Sequence, residues 1–292
     1  MSFRTILVPV ERPKTARPAL RHAIEFAREA DAHVELFHPQ IDPALLMPPV
    51  FDGLSGIAFA PELIASAQQA ADELKGEIKS MMGEVLAELG CADIPRGRQR
   101  GFSLSFGTMV GAPERLVGRR ARLADVAVIA RTPASVSRGE TDSLNGALWS
   151  SGRPVLFVPG IGKGDAAPGR KPSRILVAWN GSLEATRALT AAMPLLVDAR
   201  QVDVVTFDKA VDQDGLDDVA AYLAAHGVSA RTADIATEGY LLSKALFDRV
   251  LELDADLIVM GAYTHSRVRE YLLGGLTQEI LEGAPVPVLL AH

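Results

Sequence analysis

The segment VMGAYTHSRVREYLLGGLTQEIL, residues 259–281, gathers residue types that can hold a phosphate. Gly261 closes an apolar run, and Gly274 and Gly275 open the next helical stretch. A helix N-terminus presents free N–H groups and the positive end of the peptide dipole, which attract anions. Glycine lets an oxyanion approach the backbone closely. Leu276 supplies another backbone N–H, and Thr277 a hydroxyl within the first turn. His265 and Arg267 on the intervening segment could add charge or hydrogen bonds. At a second strand end, the polar turn AWNGS places Ala178 and Asn180 where a ligand edge could lie. The same Gly-Gly pair also suits a tight strand-to-helix connection, and both readings stand at this point.

Other chemistries have little support. No Walker lysine follows the glycines and no Gly-x-Ser-x-Gly elbow occurs, so neither phosphoryl transfer nor serine hydrolysis has an anchor. Histidines 22, 33, 38, 226, 265 and 292 lack metal-ligand spacing and read as surface or capping residues. His33 and His38, an odd number of residues apart on a strand, should face opposite sides. The single cysteine, Cys91, allows no intrachain disulfide and fits a reducing cytoplasm. A net charge of −6 disfavours nucleic acid or an anionic membrane as partner, and the basic loop 96–101 reads as solvated. The N-terminal apolar run is too short for a signal peptide, and no run is long enough for a membrane span.

The elements that must position these groups occur twice. RTILVPVE (4–11) and SRILVAWN (173–180) correspond at an offset of 169, ADVAVIA (124–130) and ADLIVMG (255–261) at 131, and RPVLFVP (153–159) and VPVLLAH (286–292) at 133. Three ordered matches indicate an internal duplication. Their offsets place extra residues in the first copy, mostly within 39–90. There, a Pro-rich stretch reads as a loop, and an i+3/i+4 pattern predicts a long helix over 61–90 with Pro61 at its start. In the second copy strands are expected near 174–179, 202–207, 229–235, 256–261 and 286–291. Helices are expected near 183–197, 215–226, 241–253 and 276–283. Apolar strands alternating with helices argue for parallel sheets covered on both faces. Ligands of such sheets sit at the carboxyl ends of the strands.

Taken together, ILVAWNGSLEATRAL and ADLIVMGAYTHSRVREYLLGGLTQEILEGAPVPVLL resemble the universal stress protein family. The resemblance covers both copies and is closer in the second. It implies a tandem α/β protein: two Rossmann-like domains, each a five-stranded, mostly parallel sheet flanked by helices. They would span residues 1–160 and 173–292 with a linker at 161–172, and their last strands would pair edge to edge as an intramolecular pseudo-dimer. A homodimer and an unidentified protein partner are compatible with it. In the family's ATP-binding branch, Gly, two residues, Gly, nine residues, Gly and Ser or Thr follow the fourth strand, and an Asp follows the first. By position this puts Gly261, Thr264, Gly274, Gly275 and Asn180 in those roles. Thr264, Gly275 and Asn180 depart from the pattern.

The expected ligand of the second copy is therefore ATP or another adenine nucleotide, with Mg²⁺. The first copy, with Ala130 in place of Gly261, is expected to bind none. There, Thr141 and Asp142 align with Gly274 and Gly275, and Asp142 is expected to cap the helix start with its own carboxylate. The implied function is cytoplasmic stress-response regulation without catalysis. The alternatives are an interaction scaffold that has lost nucleotide binding and a weak ATP hydrolase.

Overall fold

A computed structural model describes residues 3–41, 54–91, 94–95, 97, 100–131, 138–160, 171–208, 210–237, 239–262, 279–280 and 282–292, with side chains from 65 in the second of these ranges and from 142 in the sixth. The first half runs β1 (Thr5–Pro9), α1 (Pro13–Ala30), β2 (His33–Gln40), α2 (Leu54–Glu88), β3 (Ser103–Val110), α3 (Pro113–Ala121), β4 (Val126–Ala130), α4 (Arg138–Trp149) and β5 (Val155–Val158). The second runs β6 (Arg174–Ala178), α5 (Leu183–Leu196), β7 (Gln201–Phe207), α6 (Gln213–Ala225), β8 (Ala230–Ile235), α7 (Leu242–Glu252), β9 (Leu257–Gly261) and β10 (Val288–Ala291). The five strands expected in the second half are all present, within two residues of their expected ends.

The ten strands form one sheet in the order β3-β2-β1-β4-β5-β10-β9-β6-β7-β8. Each half is parallel throughout, and the halves join where β5 meets β10 antiparallel, with Leu156 opposite Leu289. That pairing is the edge-to-edge join expected of the terminal strands. It removes two sheet edges that would otherwise expose unpaired N–H and C=O groups.

The duplication extends to individual packing contacts. On α1 the buried residues include Ala16, Ala19, Leu20, Ala23, Phe26 and Ala27, and on α5 Ala185, Ala188, Leu189, Ala192, Leu195 and Leu196. Every pair is 169 residues apart. Small residues at this spacing let each helix lie close on its sheet. The strand entries are tied alike. Asp125 accepts hydrogen bonds from the N–H groups of Arg4 and Thr5, and Asp256 from those of Ser173 and Arg174.

Between the halves lies a small cavity of about 20 Å³. Its walls pair across the duplication: Phe3 with Pro172, Phe26 with Leu195, Val126 with Leu257, Leu156 with Leu289. His22 on α1 breaks the symmetry, since Ala191 holds its counterpart position. Burial pushes the His22 imidazole down to about 4.

Two expectations about the first half are corrected. The long helix begins at Leu54, so Pro61 lies within it rather than at its start. A proline ring already holds a helical φ, and a helix can run through it with the loss of one backbone hydrogen bond. Along α2, Ile78, Met81, Val85 and Leu86 are buried, whereas Ala70 is exposed. The Pro-rich loop also begins later than expected, because β2 continues through Pro39 and Gln40. β1 leaves β2 after the Pro9–Phe37 pair. Beyond that point Pro39 faces only β3, and no neighbour on its other side needs its missing N–H.

Candidate functional site

The carboxyl ends of β6 and β9 meet beside the start of α5. The two strands are paired, with Ala178 opposite Met260. After Trp179 the chain turns sharply: the Asn180 side-chain oxygen accepts from the Ser182 N–H at 3.1 Å, and Gly181 takes a φ of 71°. Ser182 then caps α5, its hydroxyl accepting from the Ala185 N–H at 3.1 Å. These three residues turn a strand into a helix with backbone donors satisfied locally. Asn180 is left exposed, and its amide nitrogen has no partner among the described residues. At the neighbouring end of β7, Asp208 accepts from the Thr237 hydroxyl and N–H, and these bonds hold its carboxyl below the usual range.

Gly261 has a purely structural requirement. A Cβ there would lie 2.5 Å from the Ala185 nitrogen and 2.7 Å from the Glu184 carbonyl carbon. The glycine thus lets β9 press against the first turn of α5, and a bound phosphate is not needed to explain it. Of the sequence-predicted site residues, the structure brings Ala178, Asn180 and Gly261 together. Thr264, His265, Arg267, Gly274, Gly275, Leu276 and Thr277 lie outside the described residues.

In the first half the corresponding strand end is occupied by the chain itself. Glu11, the counterpart of Asn180, accepts a hydrogen bond from the Ser143 hydroxyl on α4. The expected block by Asp142 needs correction. α4 starts at Arg138, so Asp142 is its fifth residue and not its cap. The helix reaches further towards the N-terminus than the aligned glycines suggested. The carboxylate placed at this strand end is that of Glu11. The 169 offset that relates β1 to β6 leads from Asn180 to Glu11, a signal that sequence reading left unused.

The histidines divide. His33 is buried between the Ser103 and Ser105 hydroxyls, both at 2.8 Å, and His38 is buried with Nδ1 2.8 Å from the Val10 carbonyl. They face opposite sides of β2, as their spacing requires, but they are not surface residues. Burial lowers the pKa of His38, and Lys75 adds to the effect against the opposing Val10 hydrogen bond. His226 does behave as a capping residue, at the end of α6 against the Tyr222 carbonyl. Among the described residues no cluster of His, Cys, Asp or Glu is arranged to hold a metal ion. No described helix is long and apolar enough to cross a membrane.

The whole chain has counterparts among solved structures. A universal stress protein from Archaeoglobus fulgidus DSM 4304 superposes with a TM-score of 0.67 at 17% identity, covering 98% of this chain and 97% of that one. A functionally unknown protein from Pseudomonas aeruginosa PAO1 gives 0.53 at 14% identity, covering 99% and 92%. At such identities the likeness speaks for the fold alone. No curated protein matches the chain. The model of the Universal stress protein family matches residues 2–88 and 172–292, one segment in each half. With most of its length matched by that model, the chain belongs to the universal stress protein family.

Proposed function

We propose that this protein is a cytoplasmic regulator of the stress response whose second half binds ATP or a related adenine nucleotide. One contrast carries the reading. Asn180 stands exposed beside paired strand ends with its amide nitrogen unpartnered among the described residues, while its counterpart Glu11 is engaged by Ser143. An amide can accept from a ribose hydroxyl and donate to a base nitrogen. The backbone N–H groups of Gly274, Gly275 and Leu276 would hold the phosphates, with Thr277 offering its hydroxyl. His265 and Arg267 would face the developed charge of the triphosphate, and Mg²⁺ would offset part of it. Catalysis is not part of the proposal.

The test is to denature freshly purified protein, identify any released nucleotide, and titrate ATP with and without Mg²⁺. Binding lost in Gly274→Val, with the fold intact, supports the reading. Absence of binding at millimolar ATP removes it. A second reading, an interaction scaffold without nucleotide, is favoured by the packing of Gly261 on α5, which accounts for that glycine without a ligand. Turnover of labelled ATP abolished by the same glycine change would instead favour a weak hydrolase.

A further inference from the structure

We propose that the first half binds a small oxyanion of the phosphate class at Arg131, at the carboxyl end of β4. Arg131 follows the last residue of the strand, and its N–H donates to the Val158 carbonyl at 2.9 Å, so its backbone is fixed in the sheet. The chain leaving β5 covers it closely: a Cβ on Gly160 would fall 2.1 Å from the Arg131 carbonyl oxygen. Along β4, Val126, Val128 and Ala130 belong to one core layer, and Ala127 and Ile129 to the other. Alternation sends the Arg131 side chain to the second layer, the side of α4, where Glu11 meets Ser143.

The guanidinium is half-buried, and its Nε is fully buried without a partner. Among the described residues it forms no hydrogen bond or ion pair. Arg249 also has a buried, unpartnered Nε, but its guanidinium is paired with Glu252, and the guanidiniums of Arg120, Arg174 and Arg231 are paired with Glu35, Asp254 and Asp203. A desolvated cation without a counter-charge is unfavourable, and burial indeed lowers the Arg131 pKa. A planar guanidinium presents two parallel N–H donors that match two oxygens of one oxyanion. Glu11 is engaged by Ser143, and among the described residues no ion pair joins it to Arg131. The second half has Ala262 here, so the feature belongs to the first half alone and does not depend on nucleotide binding in the second. The Glu11 carboxylate, just past the end of the paired strand β1, disfavours a polyanion, which limits the ligand to a small species.

Thermal unfolding of the full chain at constant ionic strength, set with sodium chloride, tests this. Inorganic phosphate and glycerol phosphate are titrated separately to distinguish a free anion from a phosphomonoester. The wild type and Gly274→Val should show a saturating rise in Tm of several degrees. Arg131→Gln should lose it and Arg131→Lys should keep part. Should Arg131→Gln fail to fold, Glu11→Gln serves: removing the adjacent negative charge should lower the half-saturating concentration severalfold. A rise that does not saturate, one equally large in Arg131→Gln, one absent from Gly274→Val, or no change in Glu11→Gln would each overturn the proposal.

Discussion

Glu35 and Asp203 hold the same place in the two halves but are neutralised from different elements. Each is opposite the middle leucine of its first strand, Leu7 or Leu176, and each is buried. Arg120 reaches Glu35 from α3 at 2.7 Å. Arg231 reaches Asp203 from the adjacent strand β8 with two bonds, at 2.7 and 2.9 Å. The duplicated fold keeps an acid at this point, while its cation has been found separately in each half.

Losing either arginine leaves a buried carboxylate short of its charged partner. Arg120→Ala and Arg231→Ala should each destabilise by ~1–3 kcal/mol, less than a fully buried pair because both guanidiniums are partly in water. β2 and β7 are seven places apart in the sheet, about 34 Å at the usual strand spacing. The two losses should therefore add in urea unfolding. Strong coupling between them would contradict independent acid sites.

Gly261→Ala should cost about 1–3 kcal/mol without any ligand, since its Cβ would collide with the backbone of α5. Denaturant unfolding of nucleotide-free protein measures this. A neutral outcome would mean that α5 yields easily, and would return Gly261 to a role in ligand binding.

His22 makes the seam between the halves sensitive to acid. Its pKa is about 4 when folded and about 6.5 when unfolded, so the unfolded chain takes up the proton more readily. Stability is fully present above about pH 6.5 and declines as pH falls towards 4, by roughly 3 kcal/mol at most, and less where water reaches the ring. Subtracting the pH profile of His22→Leu from that of the wild type isolates this part from the carboxylates. Superimposable profiles would show that His22 is not desolvated at the seam.

Much of this architecture was legible because duplication writes it twice. Three offsets identified the equivalent strands, and the apolar spacing of α1 and α5 reappears contact by contact. What escaped notice depended on neighbours distant in sequence. That Pro39 could remain in β2 followed from β1 departing after Pro9. The burial of His33 required the two serines of β3, 70 and 72 residues away. At the candidate site, Asn180 and Gly261 were singled out by the family resemblance, but the packing that requires Gly261 to be glycine was not visible in it. Glu11 and Arg131 have no motif. They became candidates once one was seen engaged by Ser143 and the other buried without a partner.

The asymmetry between the halves is the central claim, and the stoichiometry of ATP binding tests it most directly. Calorimetric titration of nucleotide-free protein with ATP and Mg²⁺ should give one site per chain, absent in Gly274→Val and retained in Arg131→Gln. Two sites per chain, or none at millimolar ATP, would contradict the account.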